Sequence, residues 1–420
     1  MNPAHHDTLE TRDPADREAM LMAALPGHLR AALALPAMAE RLAGIAPDDV
    51  HSRTTLARLP VTRKHELLER QKAHRASNAL GGYSALGWNA QRALRPARRV
   101  YQSPGPIYEP EGETPDYWRT ARAMRAAGFV AGDLVHNSFS YHLTPGAWIM
   151  ESGAIALGCT VFPGGVGNTE LQLQAMIDLR PDAYTGTPSF LRILLEKATE
   201  TGVSLTGLKR ALVSGEAFPP SLRDWLGERG VQAFQAYATA EAGVIAYESA
   251  AREGLVLEES VILEIVRPGT DDPVPDGEVG EVVVTVLNPD YPLVRFGTGD
   301  LSAVLAGTCP TGRTNTRIKG WMGRADQTAK VRGMFVHPSQ VAEVLRRHPE
   351  LLKARLVVQG EMANDQVTLH VESTSTAREL ADAVAGSVRD VTKLRADVVL
   401  VAPGTLANDG KVIEDARSYR

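Results

Sequence analysis

The sequence lacks clustered cysteines, long apolar runs and blocks of basic residues, and each absence excludes a class of protein. Its 420 residues contain two cysteines, Cys159 and Cys309, which lie far apart. Such a pair can build neither a disulfide-rich scaffold nor a cysteine zinc site, and it favours a reducing, cytoplasmic location. No stretch approaches the ~20 apolar residues of a membrane span, and the polar N-terminus does not have the pattern of a signal peptide.

The charge and the composition predict a globular protein that does not bind nucleic acid. The net charge is −5, and no long basic run supports binding to a phosphate backbone. Hydrophobic residues make up 44% and charged residues 23%, the usual mixture for a globular chain. A chain of this length predicts two or three domains.

The first half of the chain alternates helical and strand patterns. Residues 16–45 have apolar side chains at helical spacing, and Thr187 with Pro188 forms a typical helix start. Between about 118 and 236, helices alternate with short apolar strands, which predicts a largely parallel α/β sheet. The predicted strands include 134–138, 208–213 and 231–237.

The pattern changes twice after Glu241. Residues 244–323 are rich in strands separated by turns such as Asp276-Gly277, which predicts an antiparallel β-rich part of an N-terminal domain spanning residues 1–323. Residues 327–420 predict a small α+β domain, whose second helix begins with a capping box of Thr376 and Glu379. The predicted fold class is therefore α/β, with a large domain of α/β layers and a small, mobile C-terminal lid.

The first candidate motif runs from Tyr237 to Glu241, directly after an apolar strand. Ligands of open α/β sheets lie at the carboxyl ends of the strands. Tyr237 offers a flat face for a purine, and the Glu241 carboxylate is a suitable Mg²⁺ ligand. The alternative is an ordinary strand end followed by a turn.

The second candidate motif, residues 292–300, is an apolar strand that runs into Gly297, Gly299 and Asp300. A carboxylate fixed at a strand end can accept hydrogen bonds from both hydroxyls of a ribose, as at other nucleotide sites. A Gly-Asp turn without function is the alternative.

Two further motifs lie near domain landmarks. Arg324 and Asp326 occupy the polar segment 323–326, where the composition changes, and such a segment predicts a hinge at 324–326. Lys411 lies on a glycine-flanked loop ten residues from the end, where it could neutralise a developing negative charge. The alternatives are an ordinary linker and a solvated terminal lysine.

Taken together in this order, the motifs resemble the adenylate-forming acyl-CoA ligase superfamily, and within it the phenylacetate-CoA ligase branch. The resemblance covers about residues 55 to 415. It is carried by the stretches LPVTRKHEL at 59–67, PGGVGNTELQLQ at 163–174, TGTPSFL at 185–191, VSGEAF at 213–218 and GRADQTAKVRGMFVHPSQV at 323–341.

The resemblance implies roles for the matching residues. Several would bind the nucleotide, namely Gly215, Glu216, Tyr237, Ala238, Arg295, Asp300 and Arg324. The catalytic residues would be Thr239 at the phosphate, Glu241 as the Mg²⁺ ligand and Lys411 at the carboxylate and α-phosphate. Asp326 would be the hinge about which the lid turns. ATP and coenzyme A would be co-substrates with Mg²⁺ as cofactor, the acid would be a small molecule, and a homodimer is expected.

The acyl pocket is predicted from aromatic residues near the strand ends. Phe139, Tyr141 and His142 follow the strand at 134–138 and could border the acid, with Trp148 and Phe218 in neighbouring segments. This composition favours an aromatic or otherwise apolar acid, such as one like phenylacetate. Packing in the core is the alternative for the aromatic residues.

One segment departs from the family pattern. A glycine-rich phosphate loop is usual where this chain has residues 101–118, with Glu109, Glu111 and Glu113 beside three prolines. Prolines donate no N–H, and nearby carboxylates repel triphosphate, which predicts weaker binding of the β- and γ-phosphates. Gly297 also stands where a second arginine is common.

This departure leaves three functions open. The first is a ligase that activates a carboxylic acid as its adenylate and transfers the acyl group to coenzyme A. The second is a catalytically impaired homologue that binds nucleotide or acyl-adenylate. The third is an adenylating enzyme that loads a carrier protein.

Overall fold

The computed structural model describes residues 5–88, 95–267, 270–322, 324–325, 329–332, 334–336, 338–360, 365–406 and 412–417. The chain divides into two compact units, Met1–Met322 and Gly323–Arg420. Asp326 and Lys411, the predicted hinge and catalytic lysine, lie outside the described residues.

The helices of the first unit bury one face each. In the helix Pro188–Glu200, the buried residues Leu191, Leu194, Leu195 and Ala198 recur at helical spacing. Thr187 caps the start of this helix by accepting a hydrogen bond from the Phe190 N–H, as predicted. The helices are α1 (Pro14–Leu33), α2 (Pro36–Arg41), α3 (Arg53–Leu56), α4 (Lys64–His74), α5 (Ala121–Ala126), α6 (Gly146–Ala156), α7 (Thr169–Leu179), α8 (Pro188–Glu200) and α9 (Pro220–Glu228). Short 3₁₀ helices cover Thr8–Thr11 and Pro47–Asp49.

The strands of the first unit are short, and several are buried along their whole length. They are β1 (Thr62–Arg63), β2 (Leu86–Gly87), β3 (Arg95–Pro96), β4 (Arg99–Ser103), β5 (Ile107–Glu111), β6 (Leu134–Asn137), β7 (Thr160–Pro163), β8 (Ala183–Gly186), β9 (Arg210–Val213), β10 (Gln232–Thr239), β11 (Gly243–Glu248), β12 (Leu255–Leu257), β13 (Val261–Val266), β14 (Gly280–Val286), β15 (Phe296–Ser302), β16 (Val304–Leu305) and β17 (Arg317–Ile318).

The large sheet has the order β16-β17-β12-β11-β10-β9-β8-β6-β7. Its strands from β10 to β7 are parallel, and those from β10 to β16 are antiparallel. The parallel part confirms the predicted α/β alternation. Because parallel strands run the same way, the carboxyl ends of β6, β8, β9 and β10 share one edge, where ligands of open sheets bind.

A second sheet, in the order β1-β15-β14-β13, places Asp300 on β15. Helix residues such as Leu25 and Leu67 share a buried apolar cluster with Ile262 and Phe296 of this sheet. Strands β4 and β5 pair as an antiparallel hairpin. A separate cluster joins Met124 and Met150, from α5 and α6, to the large sheet.

The second unit is a small α+β fold. Its elements are β18 (Ala329–Val331), β19 (Met334–Val336), α10 (Pro338–Arg347), β20 (Leu351–Gln359), β21 (Gln366–Ser373), α11 (Arg378–Thr392), β22 (Asp397–Val401) and β23 (Ile413–Asp415). Its larger sheet has the order β22-β21-β20-β23, and the apolar side chains of that sheet pack with those of both helices.

The predicted capping box at Thr376 and Glu379 is wrong. Helix α11 begins at Arg378, its N-cap is Ala377, and no side chain caps it. The Ser375 hydroxyl accepts the hydrogen bond of the Ala377 N–H, which places the turn one residue later than the motif implied. None of the described helices combines the length and apolar character that a bilayer crossing requires.

Candidate active site at the strand ends

Residues that follow the parallel strands meet at the shared edge of the large sheet. Gly215 lies just after β9 with a φ of +80°, a left-handed conformation that favours glycine. A Cβ placed there would lie 3.6 Å from the ring of Phe139, which follows β6. The structure therefore brings together one predicted nucleotide residue and one predicted acyl-pocket residue.

Glu216, the next residue, is exposed and accepts a hydrogen bond from the Ser189 hydroxyl at 2.6 Å. Ser189 belongs to the first turn of α8, which follows β8. The predicted nucleotide residue Glu216 thus lies at the same edge and carries an accessible side chain.

Strand β10 continues through Thr239, two residues beyond the predicted strand 231–237, so more of the first motif lies within the sheet. Its register against β11 shifts between Tyr237 and Ala238, and such irregularities re-aim side chains beside functional sites. The Tyr237 hydroxyl donates to Asp300 Oδ2 at 2.9 Å and lies 3.0 Å from Thr298 Oγ1. The structure thus joins the first two sequence motifs directly.

Asp300 is held by neutral donors on both carboxylate oxygens. Trp321 Nε1–H donates to Oδ1 at 3.1 Å, opposite the bond from Tyr237. The Asp300 side chain is nearly buried, and its own N–H donates to Thr298 Oγ1. Sequence reasoning missed Trp321 and Thr298; Thr298 lies inside the second motif, whereas no pattern marked Trp321.

Glu241 is buried and paired with a cation that the sequence did not assign to the site. Lys64, the first residue of α4, places Nζ 2.7 Å from Glu241 Oε1. Burial by itself raises the pKa of Glu241, but the charge of Lys64 and a hydrogen bond from Thr239 hold that pKa below its ordinary value. Glu241 is therefore a carboxylate that stays ionised.

Glu109 interacts electrostatically with this ion pair. The hairpin β4–β5 docks on α4 because the Gln71 amide donates to the Tyr108 carbonyl and accepts from its N–H, both at 2.8 Å. Glu109 is 0% exposed, and Oε1 accepts from the Ser103 hydroxyl at 2.6 Å. Burial and the negative charge of Glu241 raise the pKa of Glu109 well above its usual range.

The acidic segment 101–118, which stands where an altered phosphate loop was expected from the sequence, contains the hairpin β4–β5 and buries two of its three glutamates. Side chains alternate along β4 and β5, which turns Ser103, Glu109 and Glu111 inward. Glu111 pairs with Arg99 at 3.1 Å and accepts from the Tyr101 hydroxyl, whereas Glu113 is exposed. Two of the three carboxylates are interior groups with protein partners.

Arg295, predicted to bind the nucleotide, has its side chain buried among protein partners. It precedes β15 with a φ of +45°, is 0% exposed, and pairs with Glu264 at 2.9 Å. Each of its three guanidinium nitrogens donates to a protein acceptor, including the carbonyls of Ala57, Leu59 and Asp271. Its geometry is that of a framework residue that ties the 57–59 segment to the second sheet.

The structure also explains why position 297 is a glycine. It pairs with Arg63 across β1 and β15, and a Cβ there would lie 2.6 Å from Glu281 Oε1 and 3.1 Å from Val61. A larger residue at this position therefore requires its neighbours to move.

The predicted acyl-pocket residues divide into fixed and exposed groups. The Tyr141 hydroxyl donates to Glu151 Oε2 at 2.7 Å and accepts from the Asn137 amide at 2.9 Å. Its ring meets Trp148 edge to face, with centroids 5.2 Å apart. His142 is exposed.

Arg324 is half-buried in the second unit, and its role stays a prediction. Among the described residues, no three or more His, Cys, Asp or Glu side chains form a metal-binding group.

Known proteins resemble this chain in both units. The family model for AMP-binding enzymes matches residues 119–286, and that for the AMP-binding enzyme C-terminal domain matches residues 333–415. Phenylacetate-coenzyme A ligase of Aromatoleum evansii is 33% identical over 345 residues, covering 78% of this chain and 74% of that protein. The enzyme of the same name from Escherichia coli K12 is 28% identical over 399 residues, covering 88% and 86%.

A solved structure extends the likeness to the whole fold. The crystal structure of 2-hydroxyisobutyryl-CoA ligase, in complex with 2-HIB-AMP and CoA, has a TM-score of 0.77 to this chain. The two sequences are 26% identical, and the match covers 98% of this chain and 92% of that one.

Proposed function

Because the chain belongs to the family of AMP-binding enzymes and is an AMP-forming acid–CoA ligase, we propose that its substrate is an aromatic acid of the phenylacetate type. ATP and coenzyme A are its co-substrates. The observation that carries the proposal is the Phe139 ring against Gly215, at the edge where the strand ends meet. The phenylacetate ligases among its relatives point to the same class of acid.

The chemistry proceeds in two steps. The acid carboxylate attacks the α-phosphorus of ATP, so that an O–P bond forms, the bond to the β-phosphate oxygen breaks and pyrophosphate leaves. The thiolate of coenzyme A then attacks the acyl carbon, the bond to the AMP oxygen breaks and AMP leaves. The first step brings anions together, so that charge stabilisation governs its rate.

We assign the adenosine to the edge formed by the ends of β9 and β10. Gly215, Glu216 and Ala238 would line the adenine, with Tyr237 beside it, and Asp300 would accept the ribose hydroxyls. Asp300 is supported by its fixed geometry, since Tyr237 and Trp321 hold both carboxylate oxygens in place. A ribose hydroxyl would use a remaining lone pair of the carboxylate.

Glu241 fits a Mg²⁺ ion because its buried carboxylate stays ionised and presents hard oxygen ligands. The ion would supply positive charge at the phosphates. Thr239 hydrogen-bonds to the Glu241 carboxylate and thereby fixes its orientation.

The remaining assignments follow the family. Lys411 would contact the carboxylate and α-phosphate during adenylation, Arg324 would lie beside the nucleotide, and Asp326 would be the hinge. Lys411→Ala should therefore slow adenylate formation by about 10²–10³ and affect thioester formation from supplied acyl-adenylate far less.

The deciding experiment measures pyrophosphate and AMP release with phenylacetate, benzoate, 2-hydroxyisobutyrate and acetate, each with and without coenzyme A. We expect the highest kcat/KM with an aromatic acid, and AMP release that requires coenzyme A. A preference for acetate or 2-hydroxyisobutyrate would overturn the assignment of the acid. Pyrophosphate release with no coenzyme A dependence would favour a carrier-loading enzyme, and none with any acid an impaired homologue.

A further inference from the structure

Glu109, Glu241 and Tyr291 are buried polar groups that interact electrostatically near the end of β10, and each has an oxygen without a hydrogen-bond partner among the described residues. Glu241 Oε1 has the ion-pair contact with Lys64, whereas Glu109 Oε2 and the Tyr291 hydroxyl have no such cation. Burial raises the pKa of Tyr291, and the charges of Glu109 and Glu241 raise it further, so that the hydroxyl lies within electrostatic range of both carboxylates. Such orphaned groups are costly, and each requires an explanation.

The charges of the cluster do not balance. Lys64 is the cation that acts on both carboxylates, and its ammonium is in contact with Glu241. One ammonium balances one carboxylate, so the second carries either a proton or an uncompensated charge. A buried, unpaired charge is strongly destabilising.

The exposed side of the cluster is Lys64. Its side chain is 35% exposed, whereas those of Glu109 and Glu241 are inside. Because Lys64 is the first residue of α4, its long side chain can turn toward solvent without moving the helix. A small cation could then take the place of the ammonium.

We propose that Glu109 is a second protein ligand, with Glu241, for the divalent cation, and that Lys64 occupies Glu241 when no cation is bound. The cation would satisfy the free oxygen of Glu109, and the Tyr291 hydroxyl would accept or donate at its coordination shell. This inference extends the proposed role of Glu241. It gives the unusual hairpin β4–β5 a function: it adds a carboxylate ligand where the family has a phosphate loop.

A second carboxylate has a consequence that does not depend on turnover. If Glu241 were the only carboxylate ligand, the phosphate oxygens of the nucleotide would be needed to complete the binding of a divalent ion. Two carboxylate ligands can bind the ion without nucleotide. Removing Glu109 weakens that binding, and removing the competing ammonium of Lys64 strengthens it.

The test is a titration of the full chain with Mn²⁺, without nucleotide, in which free Mn²⁺ is measured by electron paramagnetic resonance. The variants are Glu109→Gln, Lys64→Met and, as matched control, Glu113→Gln, whose carboxylate is exposed on the same segment. We expect one tight Mn²⁺ in the unaltered protein and binding about 10- to 100-fold weaker in Glu109→Gln. Lys64→Met should bind more tightly, most clearly at low salt, and Glu113→Gln should match the unaltered protein.

Two results would overturn the proposal. One is Mn²⁺ affinity in Glu109→Gln equal to that of the unaltered protein, and the other is no Mn²⁺ binding without nucleotide at millimolar concentration. If Glu109→Gln does not fold, as judged by its thermal unfolding, the Lys64→Met variant tests the proposal instead. An unchanged Mn²⁺ affinity in Lys64→Met would contradict competition between the Lys64 ammonium and the cation. Mn²⁺ binding that depends on Glu109, in a protein that adenylates no acid, would reject the proposed function alone.

Discussion

Two buried carboxylates, Asp300 and Glu241, differ in the partners that the described part of the chain gives them. Asp300 accepts hydrogen bonds from the neutral donors Tyr237 and Trp321, whereas Glu241 pairs with the ammonium of Lys64 and has a second carboxylate nearby. Neutral donors fix the orientation of a carboxylate, which suits hydrogen bonding to a sugar hydroxyl. One ammonium beside two acidic groups leaves an excess of negative charge, which suits the binding of a cation.

The difference shows that two buried carboxylates near the sheet edge differ in the charge of their neighbours, and neighbouring charge governs which state of a carboxylate is favoured. If Asp300 binds the ribose and Glu241 a cation, replacing these residues and their neighbours one at a time should give effects that decrease from Glu241 to Glu113.

Replacing Glu241 by glutamine should have the largest effect, because it removes the charge while keeping the shape. We expect adenylate formation to slow by about 10²–10³, as for the loss of one preorganised electrostatic contact. The measurement is pyrophosphate release in single turnover, compared with thioester formation from supplied acyl-adenylate. An equal loss in both half-reactions would mean that Glu241 supports the fold rather than the first step.

Replacing Asp300 by alanine should weaken nucleotide binding rather than slow the chemistry. Hydrogen bonds to a charged group contribute about 1.5–3 kcal/mol, so we expect the KM for ATP and the Kd for AMP to rise about 10- to 100-fold. Calorimetry with AMP measures this directly. Unchanged AMP affinity would remove Asp300 from the ribose site.

Replacing Tyr237 by phenylalanine should have a moderate effect, because the ring remains and only the donor to Asp300 is lost. A net hydrogen bond contributes about 0.5–1.5 kcal/mol, which corresponds to a roughly two- to tenfold loss of AMP affinity. Since the hydroxyl acts through Asp300, the double variant with Asp300→Ala should bind AMP no worse than Asp300→Ala alone. Additive losses would show that the hydroxyl contacts the nucleotide itself.

The smallest effect should come from Glu113→Gln. This carboxylate is exposed, and exposed charges contribute less than about 1 kcal/mol and are screened by salt. We expect the Kd for ATP to change less than about twofold at moderate salt. A large tightening of ATP binding would show that residue 113 faces the triphosphate, as the sequence alone had suggested.

The sequence by itself determined the order of the α/β elements and the position of the first strand-end motif. The strand end predicted at Asp300 was wrong, because β15 begins at Phe296 and Asp300 lies inside it, paired into the second sheet. Hydrophobic periodicity and helix caps are local properties, so the α/β alternation and the Thr187 cap could be read directly. Tyr237, Glu241 and Asp300 could be singled out because polar residues that follow apolar stretches are a local pattern too.

Only the tertiary structure decided which of these residues meet, and what balances them. Lys64 reaches Glu241, and Trp321 reaches Asp300, from segments whose own patterns point only to a helix start and a linker. Arg295 lies inside a framework because the carbonyls that it binds belong to distant segments. Glu109 turned inward because its hairpin docks on α4, and a contact between distant segments leaves no periodic trace in either one.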